Sequence, residues 1–161
     1  MSYHYTEYLA LLLKSGARLD EPDNNALYRH AMIEDFQGCR CLLYYGANIN
    51  DTNLLLDLTK LGIHNHKYIS ILTFLLDLGM SPNLAHIHTG ETALMIATTS
   101  SHYTLIKLLL EHGADVTLVN NEGKNVYDIK PKWEHLHLSI MALFNQYIEK
   151  NRQPATNPLL K

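Results

Sequence analysis

Six of the ten histidines in this sequence fall into three His-x-His pairs, His64/His66, His86/His88 and His135/His137. Alternate residues of an extended segment point the same way, so each pair could offer two imidazoles to a metal ion. Other reactive groupings are sparse. No Gly-x-Ser-x-Gly is present, and "NNEGKN" places Leu118 where a phosphate-binding loop needs its first glycine, which leaves Gly123-Lys124 as a turn. The acidic residues are scattered: Glu111 sits just before a glycine, and Asp20, Asp51 and Asp115 shortly after one, where carboxylates suit turns. No two of them are spaced for general acid and base work. Cys39 and Cys41 are the only cysteines, and two positions on a helix lie about 200° apart in projection, so they neither converge on a metal nor bridge each other. No catalytic residue, cofactor or metal ligand is expected.

The positions of these residues depend on a longer pattern. "LLLKSGARL", "LLYYGANIN", "LLDLGMSPN" and "LLLEHGADV" end four Leu-rich segments alike, with Gly16, Gly46, Gly79 and Gly113 spaced 30, 33 and 34 residues apart. A period near 33 marks a repeat array. Each glycine supplies the left-handed C-cap of the helix before it. In the fullest copy, "HTGETALMIATTSSHYTLIKLLLEHGADV", Gly90 makes a turn and Thr92 caps a short helix with Leu94 and Ala97 inward. After a short loop, a second helix from about Tyr103 carries Leu105, Ile106, Leu109 and Leu110 on one face.

This unit resembles the ankyrin repeat. The match rests on Gly90, on Thr92-Ala93-Leu94-Met95-Ile96-Ala97, and on Leu109-Leu110-Glu111-His112-Gly113-Ala114-Asp115-Val116. Ala93 stands where the family prefers proline, and Met95 where it prefers histidine. A second unit runs through "NALYRHAMIEDFQGCRCLLYYGANIN", with Leu27 as far before Gly46 as Leu94 is before Gly113, and Asn25 near its cap. A last unit starts at Gly123, with Pro131 breaking its first helix early and Ile140, Leu143 and Phe144 on its second. Between Thr52 and Gly79 the pattern is least regular, with a short turn and "LGIHNHK" read as a stretched inter-helix loop of low local stability.

At the N-terminus, Tyr5 to Ser15 matches a second helix alone, with Leu9, Leu12 and Leu13 facing the stack and Tyr3, Tyr5 and Tyr8 as an amphipathic cover. The expected fold is therefore an all-α ankyrin-repeat solenoid over residues 1–148, of about four units plus an N-terminal half unit. "NRQPATNPLLK" is expected to be a disordered tail, so that residues 149–161 stand apart.

At 161 residues and 18.4 kDa, with 47% hydrophobic and 18% charged residues, the composition is that of one globular domain. A net charge of -3 offers phosphates no electrostatic grip, so nucleic acid is not an expected partner. No window approaches the ~20 apolar residues of a membrane span, and "MSYHYTEY" lacks the regions of a secretory signal. A reducing, cytoplasmic setting is expected, including a host cytoplasm, since the weakly kept repeats rich in Asn, Tyr and Ile are similar to viral and intracellular-bacterial ankyrin proteins.

The resemblance implies a non-enzymatic adaptor or inhibitor that binds another protein through turn tips and inner helices. On that frame Tyr28, His86, His88, Met95, Asn121 and Glu122 are the expected partner-binding residues, with Asp128 following Tyr28 and Met95 in register. Two tip segments accompany them, Pro22-Asp23-Asn24 and Asn120-Asn121-Glu122. The histidine pairs fall at separate loops and turn tips, where polar residues need no function. A monomer is expected, with a homodimer or assembly block through Tyr44 and Tyr45 on the outer surface as the alternative, and His-x-His metal binding as another.

Overall fold

The computed structural model describes Glu7, Ala10, Leu11, Leu13 to Gly16 and residues 25–152. Among the described residues there are seven regular α-helices: α1 (Asn25–Met32), α2 (Phe36–Tyr44), α3 (Thr52–Gly62), α4 (His66–Asp77), α5 (Ala93–Thr99), α6 (Tyr103–Glu111) and α7 (His137–Arg152), with a 3-10 turn, Glu134–Leu136, before the last. No strand ladder accompanies them among these residues, only one antiparallel bridge between Ala85 and Thr92. The helices pair as α1 with α2, α3 with α4 and α5 with α6. Successive units then join as α3 packs on α5 and α6 on α7. This is an all-α ankyrin-repeat solenoid.

The repeated ending has one physical basis. Gly16, Gly46, Gly79 and Gly113 all adopt φ between +86° and +100°. Behind three of them the chain closes the same pair of hydrogen bonds: Gly46 N–H to Leu43 and Ala47 N–H to Leu42, Gly79 to Leu76 and Met80 to Leu75, Gly113 to Leu110 and Ala114 to Leu109. These are Schellman closures, which satisfy the last carbonyls of a helix and turn the chain away. At the other ends, Asp35, Asp51, Asn65, Thr92 and His102 accept backbone N–H bonds as N-caps.

The apolar stripes form one continuous core. Leu27, Leu42, Leu54, Leu55, Leu58, Leu72, Leu75, Leu105, Leu109, Ile140 and Phe144 are all fully buried. Thr59 and Thr98 are buried among them and donate to the carbonyls of Leu55 and Leu94, which removes the cost of an unpaired hydroxyl.

The unit between Thr52 and Gly79 is more regular than its sequence suggests. "LGIHNHK" is not a stretched loop: α3 runs on to Gly62, α4 starts at His66, and residues 63–65 alone connect them, as residues 33–35 and 100–102 do in the neighbouring units. Four of the five leucines of α3 are buried, so continued helix pays more in burial than a loop would. Gly62 permits this, because a Cβ there would stand 3.2 Å from Ile69 Cγ1 on the facing helix.

The last unit departs in the other direction. No helix forms between Gly123 and Pro131, where a short one is expected. Asn125 Oδ1 accepts from Tyr127 N–H, and Asp128 Oδ2 accepts from Asn125 N–H, so side chains satisfy the backbone locally instead of a helix. Pro131 then pushes Lys130 out of the helical region. Val126 still plugs the core, fully buried. The second helix, α7, continues to Arg152, past residue 148 where the repeat domain is expected to end. Tyr3, Tyr5, Tyr8, Leu9, Leu12, the tip Pro22-Asp23-Asn24 and residues 153–161 lie outside the described residues; Leu13 is partly buried against the core.

Candidate protein-binding surface

Gly90, at φ +69°, closes a tight hairpin in which His86 N–H donates to Glu91 O and Gly90 N–H to His86 O, both at 2.8 Å. The loop thereby thrusts its tip into solvent: Ile87 is 84% exposed and His88 is exposed beside it, while His86 is half-buried with its Nδ1 3.2 Å from the Thr89 hydroxyl. The two imidazoles meet edge to face, 5.7 Å between centroids.

The next tip is stitched to this one. Asn121 N–H donates to Thr89 O at 2.9 Å, and Asn121 Nδ2 donates to His88 O at 2.8 Å. Asn120 Oδ1 accepts from the N–H groups of Glu122 and Lys124, fixing the second turn. The tips touch so closely that a Cβ on Gly90 would lie 2.8 Å from the Asn121 nitrogen. Glu122 and Lys124 form an exposed ion pair at 2.7 Å. Their mutual hydrogen bond and charge hold the Glu122 carboxyl below and the Lys124 ammonium above their ordinary ranges. His88, Asn121 and Glu122 thus share one ridge with Ile87 and the half-buried His86.

Tyr28 and Met95 are placed differently. Tyr28 is half-buried, and its hydroxyl donates to Asp57 Oδ2 on α3 at 3.0 Å. Burial, then the bond to Asp57 and its charge, push this phenol up. It is a rivet between two units, with its hydroxyl already engaged. Met95 is 1% exposed and belongs to the core, so it cannot meet a partner as the register argument expects. The reason is that α5 is only seven residues long and wedged between α3 and α6, which covers the histidine position of the repeat from both sides. Asp128 is exposed and serves its own turn.

Further side chains, which carry no motif of their own, join the units. Asn50 Oδ1 accepts from Ser81 N–H at 2.8 Å, and Asn83 Oδ1 accepts from Asp115 N–H at 2.8 Å while its Nδ2 donates to Gly113 O. Both lie four residues after their capping glycine, a recurrence visible in "GANIN" and "GMSPN". Thr117 holds that place in the third unit, where it donates to Asp115 Oδ1 and keeps that carboxyl below its ordinary range.

The three His-x-His pairs stay apart as pairs. His64 lies in a three-residue loop, His66 opens α4, His135 sits in the 3-10 turn and His137 opens α7. Among the described residues, no group of three or more His, Cys, Asp or Glu is arranged to hold a metal ion. Cys39 is buried, and burial with the nearby Asp35 pushes its thiol up to about 12, far from a reactive thiolate. No described helix is long and apolar enough to cross a membrane.

At the end of α2, Tyr44 is 84% exposed and meets Tyr45 edge to face at 5.2 Å. It stands between two open clefts. One of about 370 Å³ reaches Leu43, Ala47, Ile49 and Leu78, and one of about 650 Å³ reaches Ala10, Gln37 and Cys41.

The family model for ankyrin repeats, three copies, matches residues 61–143, just over half of the chain. The chain belongs to the ankyrin-repeat family, whose repeats are generally protein–protein interaction modules. It is 33% identical over 129 residues to human Ankyrin repeat and SOCS box protein 6, covering 73% of this chain and 30% of that protein. It is 27% identical over 131 residues to a putative ankyrin repeat protein of Acanthamoeba polyphaga mimivirus, covering 76% of this chain and 32% of that protein. A potassium channel of Arabidopsis thaliana is 28% identical over 123 residues, with 15% of it covered. The chain thus spans about a third or less of the curated relatives it matches.

Proposed function

We propose that the chain is a non-enzymatic adaptor or inhibitor that grips a partner protein with the ridge of turn tips and the inner-helix face beside it. The observation that carries this reading is the locking of one tip to the next through Asn121. A ridge whose backbone is already ordered loses little entropy on binding. Ile87 supplies an exposed apolar anchor at its crest, and His88 and Glu122 supply polar contacts around it. Met95 plays no part in the contact, and Tyr28 contributes through the position of α3. The mimivirus relative is the comparison that bears on a host-directed role, and a cytoplasmic setting fits two unpaired cysteines.

The test is a quantitative pull-down with mass spectrometry, comparing wild type with the triple variant Ile87→Ser, His88→Ala, Glu122→Ala. A stoichiometric protein recovered by wild type and lost by a folded variant supports the ridge. Equal recovery by both rules it out. A second reading, self-association through Tyr44, rests on that ring's 84% exposure between two clefts. Light scattering across concentration, with Tyr44→Ser beside wild type, decides it.

A further inference from the structure

The helix α6 is capped by histidine at both ends, and the two ends ask for opposite charge. At its N-terminus His102 Nδ1 accepts the Leu105 N–H at 3.3 Å, which requires a bare lone pair on that nitrogen. At its C-terminus His112 faces acceptors with both nitrogens: Nδ1 lies 2.8 Å from Leu108 O, and Nε2 lies 3.0 Å from Asp77 Oδ1 at the end of α4. A neutral imidazole has one N–H, so only the imidazolium donates to both.

We propose that α6 is a pH-windowed helix: neutral His102 closes its head and cationic His112 ties its tail to α4 of the second repeat unit, and losing either form loosens α6 and with it that junction.

The surroundings of each ring agree with its assignment. The N-terminal end of a helix carries positive potential and the C-terminal end negative, so each ring has the charge that the helix dipole favours. Around His102, burial comes first in disfavouring the cation, and the neighbouring His66 at the head of α4 and His64 in the preceding loop add to it against a backbone bond that favours it; the ring is held below the ordinary histidine value. The His66 ring lies 6.4 Å away, centroid to centroid. Around His112, burial pulls down, but the bonds to Asp77 and Leu108 and the charges of Asp77 and Glu111 outweigh it, and the ring is held above that value. Glu111 is itself tied to Lys107 at 3.8 Å and receives the Tyr147 hydroxyl from α7.

Among the described residues the preceding junction is built differently. Across the preceding junction Tyr44 and Leu78 stand where Asp77's and His112's counterparts would be, and line the 370 Å³ cleft instead.

The pH dependence follows in sign. The contribution of His112 is complete below the ordinary histidine value and is lost as pH rises through its raised folded-state value. The contribution of His102 is complete above the ordinary value and is lost as pH falls through its lowered one. Stability should therefore peak near the ordinary histidine value and fall on both sides.

The experiment is an NMR titration of the imidazole ring signals of the full chain from about pH 5 to pH 9, assigned through bonds, with melting temperature measured over the same range. The expected result is a His112 midpoint above, and a His102 midpoint below, the ordinary histidine value. His102→Asn, a cap that does not titrate, should flatten the acid side of the melting profile. His112→Gln should flatten the alkaline side, and Asp77→Asn should lower the His112 midpoint. Midpoints that coincide or stand in reverse order overturn the proposal even if a variant fails to fold. Folded variants that keep both sides of the wild-type profile overturn it as well.

Discussion

Individual residues in this array are constrained mainly by packing and by backbone conformation. Leu109 is fully buried between units, so Leu109→Ala should cost about 2–5 kcal/mol as a cavity mutation, read as a shift in a denaturant midpoint. Gly90 combines positive φ with the approach of Asn121, so Gly90→Ala meets both a left-handed backbone and a clash. A loss above about 1 kcal/mol is expected, and a variant as stable as wild type would show that the tips can separate freely. Glu34 and Ser101 make the opposite case: they hold φ of +58° and +56° in equivalent inter-helix loops without being glycine. Glu34→Gly relieves that strain and gives up only the 3.5 Å pair with Lys67, which is partly exposed. A gain of about 0.5 kcal/mol is expected in the same denaturation assay, because the relief of about 1–2 kcal/mol exceeds the extra entropy of a glycine.

Elements succeed or fail here through their ends, and that decides what the sequence discloses. The four glycines, the Thr92 cap of α5 and the leucine stripe of α6 are legible because each is a local instruction: a positive φ, a side-chain acceptor, a helical period. The unit of α3 and α4 is less legible because its histidines and glycine imitate a loop, whereas the burial of Leu54, Leu55, Leu56 and Leu58 is a matter of neighbours. The burial of Met95 has the same cause, since register tells which face a residue takes and not what covers that face. The repeat frame puts His88, Asn121 and Glu122 at turn tips, but the bonds from Asn121 to the previous tip reach back as far as 33 residues and have no local sign. Asn50 and Asn83 are the useful exception, periodic yet easily passed over. Asn83→Ala removes an acceptor for Asp115 N–H and a donor to Gly113 O, and should cost about 1–2 kcal/mol in thermal denaturation. Asn50→Ala removes one bond and should cost less, about 1 kcal/mol. Equal and negligible effects would mean that water replaces these bonds without loss.

For the whole molecule, a stack in which each unit touches only its neighbours has a stability that varies along its axis. Units flanked on both sides gain two interfaces, and terminal units gain one. The pair α3 and α4 has a neighbour on each side, two long helices, buried Thr59 with its hydroxyl satisfied, and the Tyr28–Asp57 and Asp77–His112 links to either side. The last unit has α7 without a true inner helix, and its segment from Gly123 to Pro131 is held by turn bonds among exposed side chains. Backbone amides of α3 and α4 should therefore exchange with solvent most slowly and at rates set by global unfolding, while those of α7 should exchange by a local opening of lower free energy. Hydrogen exchange read peptide by peptide measures this directly, and added denaturant should leave the α7 rates nearly unchanged until global unfolding takes over. Faster exchange in α3 and α4 than in α7 would invert the gradient. It would restore the expectation that "LGIHNHK" marks the weak point, since burial and capping would then have failed to predict where the array opens first.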